Sequence, residues 1–507
     1  MSKSLHNPLI RRYAFTQLRK WNIISVLGIY FAIMAMINCF CILYVYRTQG
    51  SFSSIGDARA VAELAIPWLA GLSALVFWLL ASNAPSAVLA NQAATGTQCF
   101  FDLLPLTGKQ KAIGLLIGTN LVFYPLSALT LLIAAQYALV SGMSFKTMLT
   151  FLTFTVTTGL FLNTAALLVT TSSLERITKL KVKRSNNLGS GMGLVVLILI
   201  IGGPMLAGAA SSFQSADKLA AFPIYFFSHK LPLLNLAALL LLVLSVWCFL
   251  GAARKLGNPT VPVFSKQGAL LFLGMFQTVA LGLCWNKMLL DGISSRTFFI
   301  VQFLISAAMV FMLGVGASRR SKDIFEGIDA LSAENPAPSQ RIWKTAVKSN
   351  AILFALLAVL NLAPNILLWA WMEYPLLKGI LLFAGFATFF SWTALAWELF
   401  SLFKTEYGHK HYVVGLAIAL YLIVPFVAGV ISNDPFLLSL NPFGYAFGTV
   451  VERLSKHASQ ESIAIQALAA TTLATTALLW IVCWKYASYW RSRTVTTADS
   501  AAKGRAQ

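Results

Sequence analysis

The chain has 507 residues, of which 58% are hydrophobic and only 11% charged, and it carries a formal net charge of +21 at pH 7. Soluble domains hold roughly 45–50% apolar and about 25% charged residues, so a soluble globular class is excluded. An outer-membrane barrel is excluded too, because its strands would alternate polar and apolar residues, whereas the apolar runs here are continuous; what remains is a polytopic α-helical membrane protein.

The first predicted element is an amphipathic helix over Asn7–Trp21, NPLIRRYAFTQLRKW. Pro8 suits the first helical position and Asn7 the N-cap. Leu9, Ile10, Tyr13, Ala14, Leu18 and Trp21 share one stripe, and Arg11, Arg12, Arg19 and Lys20 lie away from its centre. That split predicts a helix in the membrane interface, apolar face in the acyl boundary and bases toward the headgroups.

Twelve apolar segments follow, at about 21–46, 64–89, 112–140, 148–173, 192–210, 231–251, 268–285, 297–318, 350–371, 377–403, 412–432 and 463–484. Most of them approach or exceed the roughly 20 residues that cross a ~30 Å hydrocarbon core. Alternate connections and the two tails hold 28 of the 38 Lys and Arg residues, and the opposite side holds 10. The positive-inside rule then places both termini in the cytoplasm of a multi-pass protein of the cell (inner or plasma) membrane. The basic excess is a topology signal with an attraction to anionic lipid; it does not point to nucleic acid. The first apolar run is too long for a cleavable signal. Five of the six cysteines lie in apolar segments and none forms a CxxC pair, so small core residues are expected, not a disulfide framework or a zinc site.

No connection is long enough for a folded domain of ordinary size, so a cytosolic catalytic engine has to be another chain. The connection after the second segment, FDLLPLTGKQKAIGLLIGTN, has a weaker counterpart after the eighth, GIDALSAENPAPSQRIWKTAVKSN. The apolar, proline-containing connections Phe222–Asn235 and Asp434–Gly448 also correspond, and both are expected to dip toward the membrane or lie on it. Together they suggest two parallel six-span halves.

Chemistry is sparse. Gly108-Lys109 is followed by Gln110, and Leu103 stands where a P-loop needs its first glycine, so a nucleotide site is rejected. Glu63, Glu373 and Glu398 sit near segment ends, where interface-level solvation accounts for them, which disfavours ion coupling. His409 and His411 beside Lys410 make a basic patch, not a metal site, and His229 and His457 stand alone. Asn38, Asn120, Asn163, Asn361 and Asn365 are uncharged polar residues inside apolar segments. Such residues mostly bridge helices; Asn38, Asn120, Asn163 and Asn361 are also candidate path-lining residues. No nucleophile constellation is visible, and no catalytic, cofactor or metal residue is expected.

The chain resembles a type-2 (ABC-2) permease of ATP-binding-cassette transporters. The resemblance rests on the amphipathic elbow before the first segment. It rests also on Gly96-Thr97, Leu103-Leu104-Pro105-Leu106-Thr107, then Lys109 and Lys111 ahead of Ala112-Ile113-Gly114. It departs from the family in holding two six-span halves in one chain, and its second half lacks a clear elbow and the LLPLT turn. The resemblance implies a permease subunit of an export system, with ATP and Mg on ATPase subunits in trans and no cofactor of its own. It assigns the ATPase-coupling loop to Phe101, Asp102, Leu103, Leu104, Pro105, Leu106 and Lys109, an exposed apolar knob with a polar rim; packing of LLPL on the ends of the chain's own helices is the alternative. The elbow is carried by Leu9, Arg11, Arg12, Tyr13 and Leu18.

The expected fold is therefore all-α: residues 1–20 the elbow, 21–256 and 257–490 two six-span halves, 491–507 a cytoplasmic tail. The expected partners are ABC ATPase subunits, membrane lipid and an exported substrate, with a further permease chain left open. A secondary transporter and a noncatalytic membrane scaffold are the alternatives.

Overall fold

In the computed structural model the described residues are 7–49, 55–95, 104–180, 223–227, 229–258, 261–284, 288–290, 293–317, 350–371, 376–402, 465–485 and 487–488. They are helical apart from short loops and two small β-ribbons. Nine of the described helices are long and apolar enough to cross a membrane. The segments expected at 192–210 and 412–432, the ENPAPSQ connection, Glu373, Cys99, His409, His411 and His457 lie outside the described residues. The chain divides into two units, one of Met1–Ile224 with His229–Val263 and one of Tyr225–Ser228 with Phe264–Gln507.

In the first unit, α1 (Pro8–Gln17) is followed by α2 (Lys20–Gln49) and α3 (Ile55–Ala74). A π-helical segment (Leu75–Leu80) and α4 (Ala81–Ala94) continue α3 as one long rod. Then come α5 (Gly108–Gly118), α6 (Phe123–Val140), α7 (Phe145–Leu180) and α8 (Leu233–Gly257). Tyr30, Met34, Cys41 and Val45 of α2 bury against Val61, Ala65, Leu69 and Leu72 of α3. Phe77 and Trp78 of the π segment pack with Ala81 and with Leu162 of α7. A π turn releases its carbonyls from the regular ladder, and Asn163 of α7 donates to the Phe77 carbonyl at 3.3 Å. Gly142, at φ 85, reverses the chain between α6 and α7, a conformation that only glycine adopts without penalty.

The third apolar segment is two helices, not the single span expected over 112–140. Thr119 and Asn120, both fully buried, turn their side chains back onto the Leu115 and Leu116 carbonyls (2.6 and 2.9 Å). Such bonds compete with the helical ladder, and Pro125 in the first turn of α6 removes a further donor. In the sequence the break is marked only by Gly118-Thr119-Asn120 and Pro125 within the apolar stretch.

The apolar connection before α8 has regular structure of its own. It forms a ribbon of β1 (Pro223–Phe226) and β2 (His229–Pro232), in which the paired strands satisfy backbone groups that a free loop would leave open.

The second unit contains α9 (Lys266–Cys284), a ribbon of β3 (Met288–Leu290) and β4 (Ile293–Ser294), α10 (Ser295–Ala317), α11 (Asn350–Trp371), α12 (Leu376–Leu402) and α13 (Ile465–Lys485). Its core is aromatic: Phe299 of α10 packs tilted against Trp369 of α11, and Phe303 of α10 packs edge-to-face against Phe383 and Phe386 of α12. Edge-to-face pairs of this kind stabilise beyond their area, by about 0.5–1.5 kcal/mol each.

Glu398 corrects the sequence reading. It is fully buried, not solvated at an interface, and its carboxylate accepts from the Asn350 N–H at 2.9 Å. Asn350 opens α11, so the carboxylate faces the positive end of a helix. Of the cysteines, Cys39 and Cys483 lie on exposed faces, whereas Cys41 and Cys284 are buried.

Candidate functional site

The predicted elbow and the predicted coupling loop are parts of one packed body. Asn7 caps α1 by accepting from the Leu9 N–H at 3.0 Å, with Pro8 in the first turn, as the sequence suggested. The helix stops at Gln17, short of Trp21, and Leu18 becomes its C-cap and is exposed.

Leu9 and Tyr13 do not face an acyl boundary. They are buried, at 1% and 7% exposure, against α5. The reason is the spacing Gly114-Leu-Leu-Ile-Gly118: a Cβ at Gly114 would lie 2.8 Å from Leu9 Cβ, and one at Gly118 would lie 2.8 Å from Tyr13 Cδ2. Two glycines one turn apart make a groove into which the neighbouring helix settles. Asn7 Nδ2 donates to the Gln110 carbonyl (2.7 Å) and Gln17 Nε2 to the Thr119 carbonyl (2.5 Å), so both ends of α1 are tied to α5. The Tyr13 hydroxyl accepts from Gln92 Nε2 of α4 at 3.0 Å. Burial pushes its pKa up, against smaller opposing effects of the Gln92 bond and Arg12, so the phenol stays neutral. Arg11 and Arg12 remain exposed, Arg11 lying 5.7 Å from the centre of the exposed Phe15 ring.

The loop before α5 is built as a cap. Thr107 and Gln110 form a reciprocal capping box: the Gln110 N–H donates to Thr107 Oγ1 (3.3 Å) and the Thr107 N–H donates to Gln110 Oε1 (2.9 Å). Gly108 lies against the last turn of α8, where a Cβ would meet the Ala253 carbonyl oxygen at 2.0 Å. The positive end of α5 thus meets the negative end of α8. The threonine, glycine and glutamine of the TGKQ sequence are spent on this junction, and no phosphate cradle is formed.

The apolar knob needs correction. Leu104 and Leu106 are half-buried and pack on the cluster of Leu9, Leu89, Leu115, Leu167 and Leu256, inside the protein's own fold. Alternation along the loop leaves Pro105, Thr107, Lys109 and Gln110 exposed. Phe101, Asp102 and Leu103 lie outside the described residues. Lys111, expected at the mouth of the third segment, is buried beside Ala112.

If the glycine groove docks α1, Gly114→Leu will expel Leu9 and release α1. The expected result is faster proteolysis within residues 7–17 of the full-length chain and a loss of about 1–3 kcal/mol of stability, measured by limited proteolysis and thermal unfolding in nanodiscs.

Within the first unit, the candidate path-lining residues Asn38, Asn120 and Asn163 each have separate hydrogen-bond partners. Asn38 of α2 donates to the Met34 carbonyl (2.8 Å) and accepts from the Tyr137 hydroxyl of α6. Asn120 closes the α5–α6 break, and Asn163 braces the π segment. In the second unit Asn361 belongs to a buried amide cluster with Asn365, Gln277 of α9 and Gln302 of α10, all between 0% and 4% exposed. Gln277 Nε2 donates to Asn361 Oδ1 (2.5 Å), while Gln302 Nε2 and Asn365 Nδ2 approach Gln277 Oε1 at 3.4 and 3.5 Å. Gln277 and Gln302 were missed from sequence, although each is a single amide inside an apolar run, GMFQTVALG and FFIVQFLIS.

Among the described residues no group of three or more His, Cys, Asp or Glu could hold a metal ion. Fold and site together define a helical multi-pass membrane protein with a helix-on-glycine body in its first unit and a buried amide cluster in its second. No family model, curated protein or solved structure matches the chain.

Proposed function

We propose that the chain is the membrane permease subunit of an ATP-driven ABC export system, with twelve spans in two parallel six-span halves and both termini cytoplasmic. ATPase subunits in trans bind ATP and Mg and dock on the body formed by α1, α5 and the loop before α5. The observation that carries this reading is the rigid junction of α1 and α5: the capping box, the glycine groove and two amide tethers make the loop a protrusion that can transmit a push. A mobile loop would absorb the motion of a partner. Here displacement of Pro105 or Lys109 has to move α5 and, through Gly108, the end of α8.

The contact surface is then the exposed set Pro105, Thr107, Lys109 and Gln110, with Leu104 and Leu106 serving as its internal support. Lys109→Glu tests this without touching packing. The full chain should keep its unfolding midpoint yet lose ATPase association at least tenfold, a change of about 1.4 kcal/mol, measured by titration of the ATPase against the chain in nanodiscs. Unchanged association would remove the loop from the interface. Leu104→Asp is a poorer test, because it disrupts the fold's own cluster as well.

A further inference from the structure

We infer that Gln277, Gln302, Asn361 and Asn365 form a binding site, inside the helices of the second unit, for an uncharged hydroxyl-bearing ligand: water, or a hydroxyl group of a polyhydroxylated solute.

Three helices converge here, and the site has no formal charge. Gln302 Oε1, Asn365 Oδ1 and Asn361 Nδ2 are buried and have no hydrogen-bond partner among the described residues. The wholly unpartnered groups are thus two amide oxygens, which accept, and one amide NH2, which donates. A hydroxyl satisfies both kinds, since its O–H donates to a carbonyl and its oxygen accepts from an N–H. A charged ligand would be desolvated with no opposite charge among these four amides. Pro364, between Asn361 and Asn365, removes the donor that would close the helix onto the Leu360 carbonyl, which adds backbone polarity at the same level. Trp369, one helical turn after Asn365 on the same helix, belongs to the buried aromatic core of this unit. The same arrangement would serve a chain driven by any energy source, so the inference stands apart from ATP coupling.

The test uses the full-length chain in nanodiscs. Gln302→Met conserves length and volume. If the site is dry, this variant deletes an unpartnered buried oxygen and gives up the long 3.4 Å bond to Gln277 Oε1, which still faces Asn365 Nδ2, so the two effects nearly offset and the unfolding midpoint holds. If a hydroxyl ligand is bound, the variant loses a ligand contact and the midpoint falls by several degrees, the result expected here. Methyl glucoside then separates the two sources. A saturable rise in the wild-type midpoint, absent in Gln302→Met, identifies a solute hydroxyl; no rise, with the variant still lowered, identifies water. Should the variant fail to fold, X-ray radiolysis of the wild type decides, because bound water oxidises adjacent side chains. Modification of the buried Trp369, one turn from Asn365, upholds the site, and its absence overturns it.

Discussion

Gly108→Ala is expected to be the most damaging addition of one carbon in the first unit. The new Cβ would stand 2.0 Å from the Ala253 carbonyl oxygen and 2.8 Å from the Gly257 nitrogen. Both are backbone atoms of the last turns of α8, so no side-chain rotation relieves the overlap. Relief requires α5 to part from α8, which opens the cluster of Leu9, Leu115, Ala252, Ala253 and Leu256. Overpacking costs about 1–3 kcal/mol where side chains can adjust, and occasionally more; with rigid backbone on one side, about 3 kcal/mol or more is expected. In thermal unfolding this lowers the midpoint by roughly 6–12 °C, at about 2–4 °C per kcal/mol for units of this size. Gly28→Ala and Gly71→Ala are the controls: nothing lies within 4 Å of either added carbon, and alanine favours a helix over glycine by about 0.8–1.0 kcal/mol. Their midpoints should hold or rise.

The second large effect is expected at Gln277. It is the one amide that touches the other three, so Gln277→Met deprives Asn361 Oδ1 of its short bond and leaves Gln302 Nε2 facing a thioether, while Asn365 Nδ2 keeps its bond to the Asn361 carbonyl. Each buried polar atom stripped of its partner costs about 1–3 kcal/mol. The loss should reach about 3 kcal/mol even though volume is preserved, with a fall in midpoint as large as that for Gly108→Ala. The comparison with Gln302→Met is informative, because that side chain sits at the edge of the network. Equal effects at the two positions would mean that the cluster has no centre.

How much of this was legible in the sequence differs from element to element. The start of α1 was readable because Asn7-Pro8 is a local signal, and its cap depends only on neighbouring residues. The capping box at Thr107 was equally local, yet its T-x-x-Q pattern was overshadowed by the TGK triplet. Leu9 and Tyr13 were read as a membrane-facing stripe because an amphipathic pattern tells that a face is buried, not what buries it. Their partner was written in the chain as Gly114 and Gly118, two glycines one turn apart. The break at Thr119–Asn120 is marked only by a Gly-Thr-Asn triplet and Pro125 inside an apolar stretch, and the π segment has no such mark. Both depend on side chains such as Gln17 and Asn163, which arrive from elsewhere to satisfy freed carbonyls. The amide cluster was half visible. Asn361 and Asn365 share one helix face by spacing, but Gln277 and Gln302 reach them only once three helices have packed. Glu398 illustrates the same limit, since its burial is set by the approach of Asn350 on another helix.

The central claim is that this chain is moved by an ATPase docked beside α1 and α5. It is tested most directly by purifying the full-length chain from its native membrane in nanodiscs and identifying co-eluting chains by mass spectrometry. The expected result is a subunit carrying a GxxxxGK[ST] motif in fixed ratio to this chain, held through the wild-type loop and lost with Lys109→Glu. A chain that elutes with no such subunit, and still moves its solute after ATP is depleted, would contradict it.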